Sequence, residues 1–400
     1  MTRGAVSVVV VLLAVMIPAT VIAAEEPPFL TVWQAGGMSP ATLEAVRVAA
    51  AIENAQVAIR RSGSLRLMGV TRGAVDVQRP AEGFGYPMSS LAVEIQDPSL
   101  HPDVAAALGP TTVVMSERSA ALRGAKAGDV LEIEGWNRQV FALEIGAVLP
   151  DETVGWYEIV LSDRTAVDLG FDRPASAVVW GGRLGQVPST MRWFSAAPTV
   201  KIGSPSDPIV FTDATLPTVV VKERFGEFAF RPTGVADGIE IEASWLDANI
   251  VDVNIDGLGP FRCNRAVVPY IRAAVSELER TGLMAQVDYS DFQLAGGCFN
   301  ARMMRGSDQG FALSRHAWGI AIDFNPSTNR FGGETSLTPA FGEVLRRWGF
   351  SWGTTWTIPD GMHFEWVRTP EDIDVCAPFR LTGGEVWTVE AAADACSALG

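Results

Sequence analysis

The sequence predicts an α+β chain in two parts, a mixed α+β module followed by a smaller α+β domain. Three observations predict it. At 400 residues the chain is too long for one small core. Short strand-like apolar runs are interleaved with helical periodicities through both halves. A stretch rich in Pro, Ser, Asp and Thr, with Pro198, Pro205, Pro208 and Pro217, has the composition of a linker. The expected order is a leader at 1–24, an α+β module at 25–197, a linker at 198–217, a second domain at 218–370 and a tail at 371–400.

The leader starts with Arg3, an apolar run from Ala5 to Ile17, and Pro18, and ends on Val21-Ile22-Ala23-Ala24. A charged start, an apolar middle and small residues before a cut describe a secretory signal peptide. An uncleaved anchor is the alternative, and would be the chain's only link to a membrane. Either way the expected location is extracytoplasmic, secreted or associated with the cell wall or membrane. Four cysteines suit an oxidising compartment. Of the three possible connectivities, sequence neighbours are favoured: Cys263 with Cys298, and Cys376 with Cys396 in the tail. The formal charge of −15, with only Lys126, Lys201 and Lys222 as lysines, argues against nucleic acid as a partner.

In the first module, Leu30–Trp33 reads as a strand. Ser39-Pro40 opens an apolar-periodic helix to Ile52, with Ser39 as cap and Pro40 in the first turn. Val57–Ile59 and Leu65–Val70 read as two strands paired across a turn at Arg61–Ser64. Thr112–Met115, Asp129–Glu134, Phe141–Val148 and Trp156–Leu161 have strand character, and short helices are expected at Glu117–Leu122 and Arg164–Leu169. The stretch "VVMSERSAALRGAKAGDVLEIEG…VFALEIGAVLP…YEIVLSDRTAVDLGF" resembles, by pattern alone, the extracytoplasmic core domain of MacB-like permeases. In the second domain Val267–Arg280 is amphipathic, with Val268, Ile271, Val275 and Leu278 on one face, and Gly282 stops it.

Histidine is scarce, at three residues: His101, His316 and His363. His101 reads as a loop residue. The other two sit in site-like segments. In "SRHAWGIAIDFN", Gly319 permits a tight turn, after which Ile320, Ile322 and Phe324 share one strand face. Ala321, Asp323 and Asn325 share the other, which would look into a cleft. In "WTIPDGMHFEW", Pro359-Asp360-Gly361 is turn chemistry, and His363 and Glu365 project from one side of the strand that follows. Two imidazoles and a carboxylate leave a fourth tetrahedral position open, the pattern of a catalytic zinc. A nearby carboxylate must then accept a proton from water. Asp360 is the first choice, and Glu365 the second or else an orienting partner for a histidine.

The run S-x-H-x-x-G-x-A-x-D, here Ser314, His316, Gly319, Ala321 and Asp323, is followed by a D-x-x-H-F-E-W box. Together with "GCFNARMMRGS" and "RWGFSWGTTW", it resembles the zinc D-alanyl-D-alanine carboxypeptidases and L-alanyl-D-glutamate endopeptidases, over Phe225 to Arg368. The resemblance implies Zn2+ on His316, Asp323 and His363, with Asp360 as catalytic carboxylate, where many relatives carry Glu. It also implies an upstream arginine on the substrate carboxylate: Arg302 by preference, or Arg305. Ser314 and Trp318 are candidate substrate-binding residues, although tryptophans near the boxes also suit a core. The implied fold is an antiparallel sheet like that shared by Hedgehog domains and these peptidases, with the metal in a surface groove. The implied substrate is the stem peptide of peptidoglycan.

Serine-acyl chemistry is excluded, since Arg123, Pro198 and Val219 stand three before the lysines. H-E-x-x-H zinc proteases are excluded likewise. The alternative from another class is a non-catalytic cell-wall-binding or scaffolding module with a structural zinc. Oligomeric state is not legible.

Overall fold

The computed structural model describes residues 29–34, 36–192, 200–203, 215–305, 310–356 and 358–368. The leader, most of the linker, Cys376, Cys396 and the tail lie outside the described residues. Among the described residues no helix is long and apolar enough to cross a membrane.

The described residues of the first half form ten strands: β1 (Phe29–Gln34), β2 (Gln56–Arg72), β3 (Val75–Gln78), β4 (Tyr86–Val93), β5 (Thr112–Ser116), β6 (Val130–Glu134), β7 (Val140–Leu149), β8 (Ile159–Ser162), β9 (Ser176–Trp180) and β10 (Val200–Gly203). They form one sheet in the order β10-β1-β9-β2-β4-β8-β5-β7-β6, and a further β2–β6 pairing closes its second part into a barrel. The barrel is mixed, with parallel β4–β8 and β5–β7 pairs and antiparallel pairs elsewhere. Leu65, Leu67, Met88, Val113, Ile133 and Ile145 fill it. Beside it, α1 (Pro40–Ile52) and α5 (Val187–Arg192) lay apolar faces on β1 and β9. Ser39 caps α1 as its sequence position predicts, its hydroxyl accepting from Thr42 N at 3.1 Å. The short helices α2 (Pro102–Ala107), α3 (Glu117–Arg123) and α4 (Asp163–Asp168) bridge strands. His101 caps α2 with its ring nitrogen, away from the other histidines in sequence and on the surface.

Two expectations for this half are corrected. Arg61–Ser64 is no turn: β2 runs through it unbroken, because Arg60–Leu67 pair continuously with β4 while the strand passes from β9 to β6. Trp156 precedes its strand, lying at φ 64° in the turn that closes Asp151–Trp156.

The second half runs α6 (Thr218–Phe225), β11 (Phe230–Pro232), β12 (Ile239–Ile241), α7 (Ala243–Asn249), β13 (Ile250–Ile255), β14 (Gly259–Asn264), α8 (Val268–Arg280), α9 (Tyr289–Ala295), β15 (Ala321–Asp323), α10 (Pro339–Arg347), β16 (Phe350–Trp352) and β17 (His363–Trp366). Amphipathic α8 buries Ile271, Ala274, Val275 and Leu278, and Gly282 ends it at φ 72°. Beneath the site lies an antiparallel three-stranded sheet, β15-β17-β16, backed by α10. A disulfide between Cys263 and Cys298, one of the two expected pairings, ties β14 to the loop leading to Arg302.

Each half has its own apolar core, and Trp136 packs against both. The joint between them is polar and buried. Lys222 of α6 reaches Glu158 at 2.7 Å and Glu227 at 2.8 Å, and Arg123 of α3 pairs with the same two carboxylates. Gly85 and Phe230 exchange backbone hydrogen bonds of 2.9 Å across the joint.

Candidate active site

The first box begins with a short 3-10 turn, Arg315–Trp318, which Ser314 caps by accepting from His316 N at 3.4 Å. Gly319 then takes φ 65° and reverses the chain. A Cβ there would lie 2.8 Å from Asn264 N and 2.9 Å from Ile250 Cδ1, so the turn presses on the β13–β14 hairpin in a way only glycine permits. Ile322 and Phe324 enter the core as the alternation predicts. Asn325 does not face a cleft. It turns out of the strand at φ 51°, and its amide bonds to Gln286 O and Asp288 N.

The second box is pinned as a turn before it becomes a strand. Asp360 N donates to Gly353 O at 2.9 Å, Gly332 N to Pro359 O at 2.7 Å, and Trp352 Nε1 to Gly361 O at 3.0 Å. In the β15–β17 register Asp323 stands opposite His363 and Ala321 opposite Glu365. A slip of one residue would send the imidazole into the core, which Phe364 fills.

Three atoms thus converge. His316 Nε2 lies 3.3 Å from His363 Nδ1 and 3.2 Å from Asp323 Oδ1, and the third side, His363 Nδ1 to Asp323 Oδ1, is 3.0 Å. A tetrahedron with ligands at about 2.0–2.1 Å from its centre has edges of about 3.3 Å. The triangle is therefore the right size to hold one divalent ion, and these three residues form a group fit for that role. Each imidazole is oriented from behind. His316 Nδ1 meets Cys298 O at 3.0 Å, and His363 Nε2 meets Glu365 Oε2 at 3.3 Å. Such partners fix which nitrogen is free to bind metal.

The charges fit the same picture. Burial alone would raise the Asp323 pKa, but His316 and His363 outweigh it and hold the carboxyl far below its ordinary range. Burial alone would lower that of His363. Hydrogen bonds to Asp323 and Glu365 reverse this and push it up to about 10. In the metal-free protein a proton therefore occupies ground a cation would take.

Residues 307–366 match a family model of D-alanyl-D-alanine carboxypeptidases. The match spans the triangle, Asp360 and Glu365. No curated protein matches the chain. The chain therefore carries a segment similar to that peptidase family, with a His-Asp-His group able to hold a metal ion.

Around the triangle stand three buried polar atoms without a hydrogen-bond partner: Asp360 Oδ1, Arg302 Nε and Trp356 Nε1. Asp360 feels His363, Asp323, His316 and Arg302, and burial, the largest influence, raises its pKa. Arg302 feels Asp323 and Asp360, so its buried guanidinium lies within electrostatic reach of both. Trp356, whose ring centroid is 5.2 Å from that of His363, is a site residue that sequence reasoning left in a general cluster of tryptophans. Its place beside His363 follows from the turn geometry and had no signal of its own.

Arg305 and Trp318 stand away from the triangle, while Ser314 and Glu365 support its histidines. Arg305 points to solvent, its side chain 78% exposed and 3.9 Å from Asp237. Trp318 is fully buried between Phe228 and the chain around Gly226, to which its indole donates, so it packs the core and lines no groove. Ser314 is occupied in capping. Glu365 lies behind His363, on the nitrogen away from the triangle, with Arg315 3.9 Å from its other oxygen. That is the place of an orienting partner.

Proposed function

We propose that the chain is a zinc-dependent peptidase that cleaves a peptide bond in peptidoglycan stem peptides, as a D-Ala-D-Ala carboxypeptidase or an L-Ala-D-Glu endopeptidase. The observation that carries this reading is the metal-sized triangle inside the matched peptidase segment. Two nitrogens and one oxygen suit zinc, and three protein ligands leave a coordination position for chemistry. The exported location expected from the leader agrees with a wall substrate.

A zinc ion held by His316 Nε2, Asp323 Oδ1 and His363 Nδ1 would supply Lewis acidity, polarising the scissile carbonyl and lowering the pKa of water. Asp360 takes the proton from the attacking water and gives it to the leaving amine. Its carboxyl, whose pKa burial raises, is suited to both steps. Arg302 holds the substrate carboxylate with its planar donors. Glu365 and the Cys298 carbonyl keep the two imidazoles aimed.

The test is incubation of the zinc-loaded full chain with purified muropeptides and mass spectrometry of the products. Loss of a terminal D-Ala indicates a carboxypeptidase, and fragments released at L-Ala an endopeptidase. Asp360→Asn should keep the metal and lose about 10²–10⁴-fold in turnover. Stoichiometric zinc with no turnover of any muropeptide would refute the reading and favour a binding module.

A further inference from the structure

We infer that the N-terminal barrel is a working part of the catalytic site: Ser64, Trp136 and Arg138 position Arg302 through the segment Gly310–Ser314. This rests on the reading of Arg302 as the substrate's anchor.

The connection is continuous. On the barrel, the carbonyl of Ser64 in β2 accepts from Phe311 N at 3.0 Å and from Trp136 Nε1 at 3.0 Å, and Ser64 pairs with Gly310 as a parallel bridge. Trp136 is fixed in turn by stacking on Phe171, with centroids 4.3 Å apart. Arg138 lies over the Phe311 ring at 4.9 Å and Arg66 at 5.6 Å, so two barrel guanidiniums grip one phenyl ring of the other half. From Phe311 the segment continues as an edge for the arginine. Leu313 bridges Met303, Met304 N donates to Ala312 O at 2.8 Å, and Ser314 N donates to Arg302 O at 3.2 Å. The other side of 301–303 is held by Ile239 N to Ala301 O at 3.1 Å and Met303 N to Asp237 O at 2.7 Å.

Barrel, segment 310–314 and strand 302–304 therefore lie side by side, and the arginine stands on the last of them. Gly310 is the tight point. At φ 62°, a Cβ there would come within 1.8 Å of Trp136 Nε1. Indole and backbone touch so closely that no side chain fits between them, and a methyl group must drive the two halves apart at this seam. The rings of the metal ligands are held separately, by the Cys298 carbonyl, Glu365 and the β15–β17 register, and the segment meets them only at its far end, where Ser314 caps the turn of His316. A disturbance at the seam should reach Arg302 and spare the triangle.

The decisive variants are Gly310→Ala and, as a gentler one that removes the guanidinium and keeps the φ of 65° already taken by a side-chain-bearing residue, Arg138→Ala, whose side chain is 55% exposed. Kinetics on a muropeptide, zinc affinity and amide hydrogen exchange are measured for each full-length, zinc-loaded variant. An arginine that grips ground state and transition state alike affects KM more than kcat. Gly310→Ala should raise KM roughly 10- to 100-fold, with zinc affinity unchanged and faster exchange at 303–304 but not at 363–366. Arg138→Ala should move KM the same way by roughly 2- to 5-fold. Wild-type KM in both variants overturns the inference, and so does a zinc affinity that falls in step with KM. Should Gly310→Ala not fold, Arg138→Ala decides by the same criteria. If the wild-type chain cleaves no muropeptide, the proposed function fails separately. The exchange pattern at 303–304 then still tells whether the barrel positions this strand.

Discussion

Replacing Lys222 by methionine should cost this protein more stability than almost any other single change, because of where the ammonium sits. Its side chain is wholly buried, as are those of Arg123 and Glu158. Glu158 accepts from Lys222 at 2.7 Å, Arg123 at 3.1 Å, Ser89 N at 2.9 Å and Ser119 Oγ at 3.3 Å, while Glu227 accepts from Lys222 at 2.8 Å and also from Arg123. Two cations and two anions balance. Methionine fills most of the volume but leaves two buried carboxylates sharing one guanidinium, and the backbone carbonyl of Pro87 loses its donor. Breaking a buried ion pair by removing one partner costs about 3–5 kcal/mol. At about 2–4 °C per kcal/mol for units of this size, the melting temperature should fall by about 6–20 °C. Calorimetry on the full chain measures it. The double variant Lys222→Met/Glu227→Gln removes the surplus charge and should recover part of the loss, with a coupling of about 0.5–3 kcal/mol. A shift below about 2 °C for the single variant, or none recovered in the double, would refute the claim that charge balance governs this joint.

Other outcomes follow from the same geometry. Burial alone would raise the Glu158 pKa, but Lys222 and Arg123 hold it below the ordinary value, so its contribution to stability is complete above the unfolded pKa and disappears as pH falls through the folded one. Acid melts should show that loss in wild type and much less of it in Glu158→Gln. Glu365→Gln should weaken zinc binding by about 10- to 100-fold, read by chelator competition. If it abolishes turnover with zinc fully bound, Glu365 and not Asp360 is the base. With His363 near pKa 10 in the metal-free protein, zinc must displace its proton. Apparent affinity should therefore rise about tenfold per pH unit between pH 6 and 9, and a flat profile would contradict the assignment.

What the sequence reveals here depends on how locally each feature is encoded. The helix at Pro40–Ile52 carries a Ser39 cap and Val268–Arg280 an apolar periodicity followed by Gly282, and both lie where those local signals put them. The two boxes pair side chains through local alternation, so Asp323 and His363 can be assigned to strand faces before any contact is known. The barrel is different. The Arg61–Ser64 stretch has turn composition, yet pairing with β4 along its length overrides that preference. The hairpin β13–β14 had a usable signal in Asp256-Gly257 between alternating runs, which helical periodicity does not register. Trp318 and Arg305 show the opposite limit: adjacency to a motif does not say which way a side chain points. The Lys222 cluster was invisible because its partners come from three separate segments.

The joint between the halves limits how this protein can be rearranged. A chain cut within 198–217 would leave Lys222 with Glu227 as its only anion, and would bare the phenyl ring of Phe311 that Arg66 and Arg138 cover. The C-terminal half is thus no interchangeable cassette. Shuffling it onto another carrier, or trimming it to the matched segment, removes the wall it was shaped against.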